Sequence, residues 1–141
     1  MTAVFQLLFV TTILLIVSHV NAQQSREEAS YSARVFTHQI YASAVFQKRE
    51  GLNRQISSAF TMKTCQKNVI DKTTFIDTML DSAKKSDKFR VNFIDSNLTH
   101  TGGIDVLVNF ENANESILGT LSFYLDKNEC GQTVAIDGAC V

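Results

Sequence analysis

At Lys88 the spacing of apolar residues changes from helical to extended, and this change bounds the folds open to the chain. Before it, Ala29, Ala33, Phe36, Ile40 and Ala44 fall on one stripe of a helical wheel, with Arg34, His38, Tyr41 and Arg49 on the other side. Phe75, Ile76, Met79, Leu80 and Ala83 repeat that spacing up to Lys84 and Lys85, where two cations suit the negative end of a helix dipole. After it, Phe89, Val91 and Phe93 alternate with Arg90 and Asn92. Ile104, Val106, Val108 and Phe110 alternate with Asp105, Leu107 and Asn109, and Ile117, Leu121, Phe123 and Leu125 with Thr120, Ser122 and Tyr124. A period near 3.6 followed by a period of two predicts an α+β domain in which helices cover one face of a sheet.

Punctuation sharpens the reading. Ser25-Arg26-Glu27-Glu28 has the Ser-x-x-Glu spacing of a capping box, so the long helix is expected to begin there. Gly51 interrupts the pattern, and Leu52, Ile56 and Phe60 predict a short second helix or turn. A short hairpin is expected over Phe60 to Val69, and Asp71 offers an N-cap for the next helix. Asp95 to Gly103, Glu111 to Glu115 and Asp126 to Gly131 read as connections, and a last strand runs from Gln132 to about Ala139. Links this short predict an antiparallel meander.

The first 22 residues read as an address. Ala3–Val17 is an uncharged apolar run, shorter than the about 20 residues that span a bilayer. Val20 and Ala22 then suit a signal peptidase cutting before Gln23. Residues 1–22 are therefore read as a signal peptide and residues 23–141 as one secreted domain, with no stable membrane span after cleavage. The n-region lacks Lys and Arg, which keeps an uncleaved anchor as the alternative. Asn97-Leu98-Thr99 and Asn114-Glu115-Ser116 are glycosylation acceptors in polar stretches, as an extracellular chain would carry.

Composition excludes several function classes. With 13 Lys and Arg against 14 Asp and Glu, the chain lacks the basic excess that tracks phosphates, so nucleic acid is not an expected partner. At 45% hydrophobic and 19% charged it is neither disordered nor fibrous. His38 and His100 have no ligand-spaced neighbour, so no metal is expected. No phosphate-cradling loop and no Gly-x-Ser-x-Gly elbow occurs, and no cofactor is implied. Three cysteines in an oxidising compartment predict one bridge and one thiol left over. A straight strand from Gln132 would set Cys130 and Cys140 roughly 30 Å apart, against a limit of roughly 7 Å, which leaves Cys65 paired with either of them.

The element order, carried by Ala59 to Met79 (AFTMKTCQKNVIDKTTFIDTM) and Thr133 to Val141 (TVAIDGACV), resembles the nematode-type secreted NTF2-like domains over most of the chain after the leader. That resemblance implies an NTF2-like cone: a strongly curved, mostly antiparallel sheet wrapped around the first helix, with an open end able to hold a small molecule. Phe36, Ile40, Phe89, Val91, Phe93, Val106, Val108, Leu121 and Phe123 would then line the space. The family's two-cysteine pattern implies a Cys65–Cys140 bridge, which leaves Cys130 as a buried or capped turn thiol or as a site of intermolecular bonding. Enzymes of this fold need a carboxylate or His within the cone. The inward set holds no titratable group except Asp95 at a strand end, where an Asp-Ser-Asn turn gives it a structural role; His38, Tyr31 and Tyr41 fall on the outer side of the helix. The expectation is a non-enzymatic domain binding a small apolar ligand in the cone or a protein through the sheet, homodimerisation by the sheet face included. The alternative is a dehydratase or isomerase using Asp95 or His38, with Tyr41 as a partner. The sheet's outer face is expected to show Ile94, Leu107, Leu118, Tyr124 and Ala135 among polar residues.

Overall fold

The computed structural model describes residues 2–128 and 130–141, with side chains described for residues 23, 25–128 and 130–141. The elements are α1 (Thr2–Val45), α2 (Arg49–Gln55), β1 (Ile56–Lys63), β2 (Val69–Asp71), α3 (Lys72–Lys85), β3 (Arg90–Leu98), β4 (Ile104–Glu111), α4 (Glu115–Leu118), β5 (Thr120–Lys127) and β6 (Thr133–Cys140). The side chains on which the signal-peptide reading rests lie outside the described residues. Among the described residues no helix is long and apolar enough to cross a membrane.

Helix α1 does not start at Ser25. No Gly or Pro lies between residues 1–22 and those that follow, so nothing breaks the helix and the Ser25-x-x-Glu28 spacing sits inside it. Its inner stripe matches the wheel: Ala29, Ala33, Phe36, Ile40 and Ala44 are all buried. Tyr41 departs from the wheel, half-buried with its ring stacked on Phe89 at 6.4 Å. The helix ends where Gln47 takes a left-handed φ of 54°, and the Gln47 side-chain amide donates to the carbonyls of Ala44 (2.9 Å) and Leu80 (3.1 Å). One polar side chain thus closes α1 and ties it to α3. Gly51 lies inside α2, because a Cβ there would come within 2.4 Å of Ser43 Oγ on α1. Asp71 caps α3 by accepting the Thr74 backbone N–H at 2.8 Å, and that bond holds its carboxyl below the usual carboxylate range.

The six strands form one sheet in the order β2-β1-β6-β5-β4-β3. All neighbours are antiparallel except β1 and β6, which run parallel. Register shifts between Phe93 and Asp95, between Tyr124 and Leu125, and between Ile56 and Thr61 bend the strands around the helices. Three boundaries differ from those the sequence predicts. Strand β3 runs on to Leu98, so the turn is confined to Thr99 and the residues up to Gly103, where Thr99 and Gly103 pair. The hairpin begins earlier than Phe60, at Ile56. Ile117 belongs to the single turn α4 instead of a strand.

Two residues expected on the outer face are buried. Leu118 points inward from α4, and Ala135 is turned into the core by the shift at Tyr124/Leu125, which pairs Leu125 with Ala135 and Tyr124 with Asp137 and skips Ile136. The core they join is aromatic. Phe123 lies 5.6 Å from Phe36, 5.7 Å from Phe75, 6.4 Å from Phe60 and 6.5 Å from Phe110 between ring centroids. These are contact separations for aromatic pairs.

Candidate functional site

The parallel pairing of β1 with β6 brings Lys63 opposite Ala139, so the next residues of each strand come close. Cys65 and Cys140 are there joined in a disulfide, with Cα atoms 4.9 Å apart across 75 residues of sequence. Closing a loop of that length stabilises the fold by about 4 kcal/mol under the chain-entropy treatment. Cys130 is a free thiol, exposed instead of buried; its backbone N–H donates to Asn128 Oδ1 at 3.0 Å in the β5–β6 turn.

The residues expected to line a cavity divide by position. Phe36, Ile40, Phe89, Val91, Val106, Val108, Leu121 and Phe123 are buried in one packed cluster, whereas Phe93 is half-buried beneath the Arg34 guanidinium, 4.4 Å above its ring. Phe36 also borders a surface cleft of about 380 Å³, where α1, the end of α2 and the β5–β6 connection meet. Its floor is Val35 and Phe36. Around them stand the hydroxyls of Tyr31, Ser32 and Thr133, the amides of Gln39, Gln55 and Gln132, and Arg54, which is ion-paired with Glu50 at 2.7 Å. A volume near this suits a small ligand, and Val35 and Phe36 supply the apolar part of a lining otherwise made of hydrogen-bonding side chains. Among the described residues no carboxylate, imidazole or thiol lines it, so the described walls supply binding groups without an acid–base pair.

Sequence reasoning missed most of this cleft. Tyr31, Val35 and Gln39 recur at i, i+4 and i+8 beside the buried stripe, a signal the wheel carried. That the end of α2 and Gln132 approach them is tertiary and has no local mark.

The candidate catalytic residues are scattered. Asp95 is exposed on β3 just past the register shift, and its Oδ1 accepts the Ser96 backbone N–H at 2.8 Å. It lines a second cleft, of about 700 Å³, between α1 and β3 with Arg26, Arg34, Phe93 and Asn97. His38 is exposed on α1, in a separate cleft with Ser43, Lys48 and Arg49. Neither cleft contains the other's residue, and Tyr41 borders neither. The buried polar residues among those described are Thr37, Thr64 and Ser82, none of which titrates near neutrality. Among the described residues no group of three or more His, Cys, Asp or Glu side chains is placed to hold a metal. Both glycosylation acceptors are exposed, Asn97 within β3 and Asn114 before α4.

No family model matches the sequence, and no protein of curated function gives a significant match. The fold is nonetheless shared with solved structures. An NTF2-like protein of unknown function from Silicibacter pomeroyi aligns with a TM-score of 0.63 at 9% identity over 80% of this chain and 94% of its own. An uncharacterised protein with a cystatin-like fold from Caulobacter vibrioides aligns with a TM-score of 0.58 at 8% identity, covering 79% of this chain and 87% of its own. A provisionally assigned ketosteroid isomerase from Shewanella frigidimarina gives a TM-score of 0.52 at 12% identity, covering 77% and 93%. The protein has the NTF2-like fold, a fold that serves ligand binders and isomerases alike.

Proposed function

We propose that this chain is a secreted, non-catalytic NTF2-like domain of the nematode type, which binds a small, largely apolar ligand in the cleft floored by Val35 and Phe36. The observation that carries this reading is the lining of the cleft: Val35 and Phe36 border it beside hydroxyl and amide groups, and no carboxylate or imidazole among the described residues does. The internal disulfide is compatible with an oxidising compartment, and exposed Asn97 and Asn114 are accessible to glycosylation. Titration with the uncharged dye Nile red tests the cleft. Binding should be saturable, about tenfold weaker in Val35→Arg, and unmoved by Asp95→Asn or His38→Ala. Equal affinity in Val35→Arg, or a turnover abolished by Asp95→Asn, would overturn it.

A second reading, protein contact through the sheet, is favoured by the apolar side chains exposed at its margins, Val69 and Val141 near β2 and β6 and Ile94 and Leu98 on β3. Homodimerisation by that face predicts two subunits in native mass spectrometry, reduced to one by Leu107→Arg.

A further inference from the structure

We propose that Gln23 becomes an N-terminal pyroglutamate in the mature protein. The inference rests on the proposed removal of residues 1–22. Within the uncut chain the Gln23 nitrogen is a peptide amide inside α1 and has no nucleophilic lone pair to offer. A cut after Ala22 turns that nitrogen into an amine. The same residue carries a carboxamide at the distance that closes a five-membered ring.

The ring closes when the α-nitrogen attacks Cδ. One C–N bond forms, the bond from Cδ to Nε2 breaks, and Nε2 leaves as ammonia with the proton given up by the α-nitrogen. No oxidant, metal or co-reactant is required. The Gln23 side chain is exposed, and its Nε2 lies 3.4 Å from Glu27 Oε1, a weak contact with solvent around it.

The structure also gives the modification a physical consequence. Removing the leader strips the helical turn that precedes Ser25, so the Ser25-x-x-Glu28 spacing that is internal in α1 becomes the place where the helix begins. Gln23 and Gln24 are then the two residues ahead of the cap. A protonated α-amine there would face the positive end of the helix dipole. The lactam removes that charge and leaves a carbonyl oxygen able to accept a hydrogen bond from an unsatisfied helical N–H. Cyclisation and the capping box therefore act in the same direction, toward a stable first turn.

The test uses the full chain expressed through the secretory route, with intact mass measured before any digestion and the tryptic N-terminal peptide ending at Arg26 sequenced by tandem mass spectrometry. The expected result is a terminus at Gln23, lighter than the unmodified peptide by one ammonia and refractory to Edman degradation. Gln23→Ser should restore an Edman-readable terminus at the same site. A terminus at Gln23 with a free amine overturns the cyclisation while sparing the cleavage reading. A terminus elsewhere, or a retained leader, overturns both.

Discussion

Along β5 the sheet shows two faces that answer to different physics. Leu121, Phe123 and Leu125 point inward and are buried, whereas Thr120, Ser122 and Tyr124 point outward and are half-exposed. Inside, shape decides: each ring is fixed by rings on other elements, and a lost atom leaves a void the neighbours cannot fill. Outside, the strands place Asn97, Asp105, Tyr124, Asp137, Thr61 and Asp71 in one row across all six strands. Carboxylates there stand on alternate strands, and water screens what the row lacks in packing. The lesson is that tolerance to substitution alternates residue by residue along a single strand.

Phe123→Ala should break that contrast most severely. Its ring touches those of Phe36, Phe60, Phe75 and Phe110, so truncation is expected to cost about 5 kcal/mol in urea unfolding. Ser122→Ala next to it should stay within about 0.5 kcal/mol. Equal losses at the two positions would refute the two-faced description.

Removing the Cys65–Cys140 bridge by a double Ser substitution is expected to cost about 4 kcal/mol, a difference that should vanish when reductant opens the bridge in the parent chain. Outside the sheet's core, Tyr124→Ala should cost about 1 kcal/mol. The Tyr124 ring covers Gly103, where a Cβ would meet its hydroxyl oxygen at 2.3 Å, and that hydroxyl shares a hydrogen bond with Thr101 Oγ1 at 3.1 Å. Hydrogen exchange at Thr99–Gly103 would show whether the ring holds the turn closed.

The smallest effect concerns pH. Asp71 titrates below its ordinary value because the Thr74 N–H binds the ionised form. Its contribution is therefore complete above the unfolded carboxylate pKa and is lost as pH falls through the lower, folded one. Asp71→Ala should lower the thermal midpoint by about 3 °C at neutral pH and by less as the solution is acidified. A shift that grows in acid would contradict the cap.

Much of the fold was legible because burial imposes a period. The inner stripe of α1, the span of α3 with its Asp71 cap, and the inward sets of β4 and β5 follow from spacing alone. What escaped was what long-range pairing decides. Ala135 and Leu118 were placed outside because strict alternation cannot register a bulge or a one-turn helix. Ser25 read as a start because local capping chemistry is blind to a helix already running upstream. The cleft was the least legible part, since Gln132 and Gln55 carry no local sign that they converge on Val35. Asp95 and His38 stood out as chemically able residues, yet reactivity of a type says nothing about whether the fold unites them.

The parallel register of β1 with β6 has an outcome for biosynthesis. Strand β6 is central and is the last strand of the domain to be made, so as the chain emerges the β1–β2 pair has nothing to join on the open edge of β1 until residues 133–140 follow. The nascent domain must wait with half its ribbon unclosed, its Cys65 thiol accessible to oxidoreductases and its β1 edge open to wrong pairings. Chaperone engagement should therefore persist until β6 has emerged, and then end abruptly.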